Sequence, residues 1–153
     1  MRLLRLIDLP PVWLLGGICI VWAMDRALPW GLFGAFGAVS GAALVAVGLG
    51  LLGLAAGQMI LARTTVIPRH TPSKLVTTGC FRWSRNPIYL ADALILSGAI
   101  LWWDVPLALP LIYGFMQLIQ KRFILPEEAV LRAGFGEEFT KYAAQTRRWF
   151  GLA

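Results

Sequence analysis

The stretch ALPWGLFGAFGAVSGAALVAVGLGLLGLAAGQMILA, residues 27–62, runs for 36 residues without a charged side chain. A helix that crosses the hydrocarbon core of a bilayer needs about 20 apolar residues. The stretch is long for one crossing and short for two with a turn between them. Pro29 and Trp30 mark its entry, so the sequence predicts one long helix over residues 31–62 that tilts or projects past the headgroups.

Three further apolar segments accompany this helix, and charged residues bound each of them. They predict spans over about 9–26, 87–103 and 105–122, with a tight hairpin at Asp104 between the last two. Charged residues make up 14% of the chain, against about 25% in an average soluble domain. We therefore expect an all-α polytopic membrane protein, a single membrane domain over 1–153, with about four transmembrane helices and a cytoplasmic amphipathic C-terminal segment.

The basic residues predict the orientation of the chain. With the N-terminus inside, 13 of the 14 Lys and Arg residues fall on cytoplasmic segments, and Arg26 alone lies outside. We expect a retained first span, both termini in the cytoplasm, and a bacterial inner membrane. The basic residues cluster at the ends of apolar segments, so the expected partners are anionic lipid headgroups and no nucleic acid.

The two cysteines and the glycine patterns do not indicate a functional site. Cys19 lies in an apolar run and Cys80 in a basic loop, so we expect neither a disulfide nor a metal site. The sequence GLGLLG at residues 48–53 matches a dinucleotide fingerprint, but it lies inside a membrane helix, where that motif has no strand before it. Glycine pairs at 37/41 and 53/57 favour close helix packing, within one chain or between two chains of an oligomer.

The most informative segment is LVTTGCFRWSRNPIYL, residues 75–90. Asn86 can cap the third helix, and Pro87 suits its first position, where no backbone N–H is needed. Arginines that bind lipid explain the charges. A helix start and lipid-binding arginines do not explain why an apolar loop segment contains a glycine and is followed by Tyr89 one turn inside the membrane. The segment therefore indicates a functional loop as well as a helix start.

An ionisable residue follows within the third span. Asp92 comes three residues after Tyr89, hence on the same helix face. Such a residue in a span is a functional hypothesis by default. Its shallow depth equally allows it to reach the interface, or to pair with Arg82 or Arg85. Both interpretations stay open.

Residues 126–153 predict an amphipathic segment that is helical at its start. Glu127 and Glu128 follow Pro126, where acidic groups complement the dipole of a first helical turn. Apolar residues then recur at helical spacing, as is typical of a helix that lies on a membrane or packs on other helices. Gly134 and Gly136 are where this helix would divide in two.

Together these segments resemble the isoprenylcysteine carboxyl methyltransferase family and the related phospholipid N-methyltransferases. The pattern there is roughly LVTTGPYRxxRHPxYLG, two membrane helices, then EExxLxxxFGxxYxxYxxxTPR. The chain follows it over residues 65–149. It departs from the pattern at Cys80 for Pro, Asn86 for His, Phe139 for Tyr and Arg147 for Pro.

The resemblance implies that S-adenosylmethionine binds at the cytoplasmic mouth of the last two helices. It assigns Arg148 to a substrate carboxylate or phosphate and Glu127 to the amino or ribose groups of the cofactor. The candidate catalytic residues are Asp92, Tyr142 and Arg148. The candidate cofactor-binding residues are Leu75, Val76, Gly79, Arg85, Asn86, Pro87, Tyr89, Glu127 and Glu128.

The leading hypothesis is an S-adenosylmethionine-dependent methyltransferase, embedded in the membrane, that acts on a lipid-like, isoprenoid or small hydrophobic acceptor. A membrane lipid or sterol-type reductase is an alternative, because residues 89–92 resemble a Tyr-Leu-x-Asp motif of sterol reductases. A second alternative is a non-catalytic four-helix membrane protein or transporter. That class predicts an ionisable residue near mid-bilayer in an early span, and residues 9–62 contain only Asp25 and Arg26 at a loop.

Overall fold

The computed structural model describes residues 8–28, 30–64 and 73–151, and this part of the chain is helical with no β-strand. The prediction of an all-α fold is therefore confirmed. The helices are α1 (Pro10–Ala27), α2 (Gly34–Leu61), α3 (Pro87–Trp102), α4 (Leu109–Ile119) and α5 (Leu125–Gln145). Short 3₁₀ turns cover Gly79–Arg82 and Pro106–Ala108, and a π-helical segment, Gln120–Ile124, lies between α4 and α5.

One helix of the described residues, α2, is long and apolar enough to cross a membrane, with 28 residues. Only 17% of its most apolar stretch is buried, whereas a core helix of a soluble protein would be mostly buried. Phe36, Val39 and Leu54 are among the large apolar side chains that it exposes. Helix α3 is apolar but shorter, and the prediction of about four spans stays a prediction for the other helices.

Two observed helix ends differ from the predicted ones, and contacts in the structure explain the first difference. Helix α2 begins at Gly34 rather than residue 31, because the Asp104 carboxylate accepts hydrogen bonds from the backbone N–H groups of Leu32, Phe33 and Gly34, each at 2.8 Å. The predicted fourth span ends at residue 122, but the helix does not end there. Lys121 and Arg122 do not interrupt the main-chain hydrogen bonds of the helix. The chain stays helical through the π-helical segment and into α5.

The chain forms two compact units, and each combines distant parts of the sequence. The first takes its residues from 1–49 and 91–118. Val21, Leu96 and Ile100 are fully buried in it. A Cβ on Gly41 would lie 2.6 Å from the Gly98 carbonyl oxygen, and a Cβ on Gly98 would lie 2.7 Å from that of Gly41. Glycines therefore allow α2 and α3 to pack backbone to backbone in this unit, and the 37/41 pair packs within one chain.

The second unit takes its residues from 50–90 and 119–153. It contains the last turns of α2, the loop before α3, the π-helical segment, α5 and the residues that follow α5. Helix α5 is bent at Gly136, whose φ of 51° and ψ of −116° are not helical, at one of the two glycines predicted to divide it. A Cβ on Gly53 or Gly57 would meet nothing within 4 Å, so packing at that pair between two chains stays a prediction.

Candidate functional site

The chain after α5 returns along the loop that precedes α3, and main-chain hydrogen bonds hold the two together. The Arg85 N–H donates to the Arg147 carbonyl at 3.0 Å, and the Gly151 N–H donates to the Trp83 carbonyl at 2.8 Å. The Arg147 N–H in turn donates to the Gly151 carbonyl at 3.0 Å. We call residues 146–151 the tail and residues 73–86 the loop.

Side chains of the loop add to this pairing. Asn86 donates from Nδ2 to the Arg148 carbonyl at 2.9 Å, and its own backbone N–H donates to Oγ of the buried Ser84 at 3.1 Å. The Asn86 carbonyl accepts the first helical bond, from the Leu90 N–H at 3.0 Å, so the residue stands at the cap position of α3. Pro87 is the first residue of α3, as predicted. The side chain of Asn86 binds the tail through its amide donor.

A buried carboxylate lies at the centre of this arrangement. Arg148 donates from Nε and Nη2 to the two oxygens of Glu128, at 2.9 and 2.8 Å, in the bidentate geometry that makes such pairs strong. Arg85 Nη1 lies 3.2 Å from Glu128 Oε1. Glu128 thus joins the first turn of α5 to both the loop and the tail. One carboxylate faces two guanidinium groups, so this cluster carries a net positive charge.

The two arginines of the cluster differ in their surroundings. Burial lowers the pKa of Arg85, and the nearby Glu128 carboxylate opposes that effect. The hydrogen bond to Glu128 raises the pKa of Arg148. Among the described residues, Nε of Arg85 is the buried side-chain nitrogen or oxygen atom without a hydrogen-bond partner. Such a donor has a binding capacity that the protein itself does not use.

The neighbouring carboxylate, that of Glu127, binds a different residue of the same unit. Tyr89 is buried and its hydroxyl donates to Glu127 Oε1 at 2.7 Å. The Tyr89 ring lies 6.3 Å from the Phe123 ring between centroids. Consecutive residues on a helix point about 100° apart. Glu127 and Glu128 therefore bind different partners, one a phenol and the other two arginines.

Tyr142, a predicted catalytic residue, has its hydroxyl engaged inside the fold. It is buried and donates to the Phe81 carbonyl at 2.6 Å, and burial raises its pKa. Its ring packs with Leu75 and Phe139 in a small apolar cluster. Arg132 lies over the Phe139 ring at 5.5 Å, so the phenylalanine found in place of the family's tyrosine contacts a cation through its face.

Gln58, which the sequence analysis did not single out, supports the middle of the loop. Gln58, near the end of α2, accepts at Oε1 from the Cys80 backbone N–H at 3.2 Å and from the Cys80 thiol at 3.1 Å. Gly79 has a φ of +62°, and a Cβ there would overlap the Gln58 amide. The available signal was composition, because Gln58 and Ser40 are the polar side chains of the uncharged 36-residue stretch.

An open depression lies on one side of the Glu128 cluster. It has a volume of about 430 Å³ and is lined by Leu125, Glu128, Ala129, Arg132 and Ala133. The depression combines an apolar wall with a carboxylate and a cation. Such a lining suits an amphiphilic molecule with a charged group.

The predicted site residues fall into two groups. The second unit contains all nine candidate cofactor-binding residues together with Tyr142 and Arg148. Asp92 is buried in α3 and belongs to the first unit. Arg85, which the sequence offered as a partner for Asp92, is paired with Glu128. A catalytic role for any of these residues stays a prediction.

Comparison with known proteins gives one result for the chain. A family model described as phospholipid methyltransferase matches residues 36–138. The match extends from α2 into α5 and includes the loop and Glu128. No curated protein and no solved structure matches the chain significantly.

Proposed function

Because the chain belongs to the phospholipid methyltransferase family, we propose that it transfers a methyl group from S-adenosylmethionine to a phospholipid-like acceptor in a membrane. One observation carries the proposal beyond the family. Glu128, in the motif segment 127–148, lies 3.2 Å from Arg85 of the segment 75–90 and also binds Arg148 of its own segment. Residues far apart in the sequence thus form one charged cluster next to an open depression.

The residues of the cluster suit the chemistry of the methyl donor. When bound, S-adenosylmethionine supplies an electrophilic methyl group on a positively charged sulfur. Arg85, with its unused Nε donor, would hold the carboxylate of the donor. Glu127 and the ring of Tyr89 offer the negative charge and the aromatic face that favour cations. Residues 75–78 are in no regular helix, and the main-chain groups of residues 75–77 would bind the adenosine or amino group of the donor.

The role of the protein in such a displacement is alignment. Methyl transfer needs the acceptor atom in line behind the methyl group, and holding two reactants in place lowers the barrier substantially. Arg148 and Arg132 are the cations that would hold an acceptor phosphate beside the depression. Arg148 already binds Glu128, so an anionic acceptor would share this guanidinium with the carboxylate. Exposed apolar side chains of α2 suit the hydrocarbon tails of a lipid.

The location of the site follows from the charge distribution. We infer that the loop and the tail lie on the cytoplasmic side of the membrane, because nearly all basic residues fall on that side when the N-terminus is inside. The donor would then enter from the cytosol and the acceptor from the lipid. Membrane lipids are the expected surroundings and the expected source of the acceptor.

Binding of the demethylated product, S-adenosylhomocysteine, tests the donor. Isothermal titration calorimetry on the full chain in lipid nanodiscs should show saturable binding. Glu127→Gln removes the carboxylate charge and Tyr89→Phe removes the hydroxyl that donates to it, and both should weaken binding, whereas Glu137→Gln on the exposed face of α5 should not. Absence of binding by the unaltered protein would overturn the proposal.

The acceptor is tested separately. The protein is incubated with S-adenosylmethionine labelled in its methyl group and with either phospholipids or isoprenoid acids. Label in the phospholipid fraction supports the proposal. Label in the isoprenoid fraction alone would assign the acceptor to the isoprenylcysteine-like type. Binding of a nicotinamide dinucleotide in place of S-adenosylhomocysteine would favour the reductase alternative.

A further inference from the structure

Gln58 occupies an unusual place in the chain. It lies one turn before the end of α2 in a stretch that is otherwise apolar, apart from Ser40. An amide in apolar surroundings destabilises a protein unless it is hydrogen-bonded. The hydroxyl of Ser40 is hydrogen-bonded within its own helix, since it donates to the Phe36 and Gly37 carbonyls. Gln58 instead binds a residue 22 positions away.

The partner of Gln58 is the turn at Gly79 and Cys80 in the loop. Its Oε1 accepts from both donors of Cys80, the backbone N–H at 3.2 Å and the thiol at 3.1 Å. Gly79 adopts a φ of +62°, which L side chains rarely adopt. The absence of a Cβ at Gly79 makes room for the Gln58 amide. The two residues therefore fit each other, and Gln58 fixes the direction of the Gly79–Cys80 peptide.

We propose that Gln58 is a positioning residue for the methyl donor. This inference rests on the proposed function. Its side-chain oxygen holds the Gly79–Cys80 peptide, and that peptide sets the direction of residues 75–79, whose main chain faces the donor in the proposed site. Gln58 itself does not touch the donor or the acceptor. Helix α2 thereby takes part in donor binding, although none of its side chains carries a charge.

The experiment compares three variants of the full chain in nanodiscs. Gln58→Met keeps the length of the side chain and removes the acceptor oxygen. Gln58→Glu keeps an acceptor oxygen for the Cys80 N–H. Ser40→Ala is the matched control, because it removes the other polar group of α2, which bonds only to its own helix. The dissociation constant of S-adenosylhomocysteine, the KM of each substrate and the unfolding temperature are measured for all three.

We expect Gln58→Met to raise the dissociation constant of S-adenosylhomocysteine and the KM of S-adenosylmethionine about tenfold, the loss expected for one hydrogen bond that orients a site. The KM of the acceptor should stay unchanged. Gln58→Glu should keep most of the affinity for S-adenosylhomocysteine, and Ser40→Ala should bind it as tightly as the unaltered protein does. Alkylation of the Cys80 thiol should become faster in Gln58→Met, because the thiol loses its hydrogen-bond partner.

Two results would overturn the inference. In the first, Gln58→Met alkylates faster at Cys80 and yet binds S-adenosylhomocysteine as tightly as the unaltered protein. In the second, Gln58→Met changes the KM of both substrates and the unfolding temperature together, which is the signature of a purely structural residue. Failure of the unaltered protein to bind S-adenosylhomocysteine is a different result, and it overturns the proposed function itself.

Discussion

Replacing Glu128 by glutamine tests the central ion cluster most directly. The substitution keeps the size of the side chain and removes its charge. The Glu128 carboxylate accepts two hydrogen bonds from Arg148, at 2.9 and 2.8 Å, and lies 3.2 Å from Arg85. A glutamine oxygen in the place of Oε1 can still accept from Arg148 Nε and Arg85 Nη1, but the NH₂ group in the place of Oε2 would face Arg148 Nη2, donor against donor. Two guanidinium groups would then lie together without a counter-charge.

The size of the effect follows from the burial of the three side chains. Those of Glu128, Arg85 and Arg148 are 11%, 13% and 32% exposed. Breaking a buried ion pair by removing one partner costs about 3–5 kcal/mol. Arg148 is partly open to solvent, which lowers the figure, so we expect Glu128→Gln to reduce the free energy of unfolding by about 3 kcal/mol. Glu137→Gln breaks an exposed pair with Lys141 at 3.9 Å and should cost under about 0.5 kcal/mol.

Reversible unfolding in mixed micelles, titrated with denaturing detergent, measures both free energies. A double-mutant cycle with Arg148→Met isolates the pair, and we expect a coupling energy of about 1–3 kcal/mol. If Glu128→Gln costs no more than Glu137→Gln, or the coupling energy is close to zero, the cluster does not hold the tail to α5. The assignment of Glu128 as the link between α5 and the tail would then be wrong.

Three further predictions concern single residues. Gly79→Ala should lower the free energy of unfolding by at least about 1–2 kcal/mol, because a Cβ at φ +62° is strained and overlaps Gln58, whereas Gly53→Ala on open helix surface should be neutral or stabilising in the same unfolding titration. Tyr142→Phe leaves the buried Phe81 carbonyl without its donor and should cost about 1–3 kcal/mol, while Tyr113→Phe at an exposed tyrosine should cost almost nothing; equal losses would contradict the role of that hydrogen bond. Backbone hydrogen bonds lower the pKa of Asp104, so its stabilising effect is present above about pH 4, the unfolded value, and is lost as the pH falls through the lower folded value. Asp104→Asn should therefore lower the unfolding temperature at pH 7, and its difference from the unaltered protein should shrink in acid; a difference that grows in acid would contradict this sign.

The parts of the fold that depend on local chemistry could be predicted from the sequence. Apolar runs bounded by charges predicted α1 and α3 to within a residue or two of their observed ends. Pro87 gave the first residue of α3, and Gly136 gave the bend in α5. The motif pattern identified the family that the comparison supports. These signals are short-range, because each depends on a few adjacent residues.

The parts that depend on distant contacts could not be predicted. Asp104 delays the start of α2 through hydrogen bonds to residues about 70 positions earlier, and nothing near residue 31 encodes them. The charged pair at residues 121–122 indicated the end of a span, yet backbone hydrogen bonds continue past it. The pairing of tail and loop uses main-chain atoms, which every residue has, so no side-chain pattern reveals it.

The pairing of tail and loop also sets an order of events during synthesis. The Trp83, Arg85 and Asn86 groups find their partners at residues 147–151, more than 60 positions later in the chain. While a ribosome is still making α5, those partners do not yet exist or are still inside the exit tunnel. Until then the polar groups of the loop have no tail to pair with, and they are hydrated instead. Assembly of the site therefore begins only when the residues after α5 have emerged.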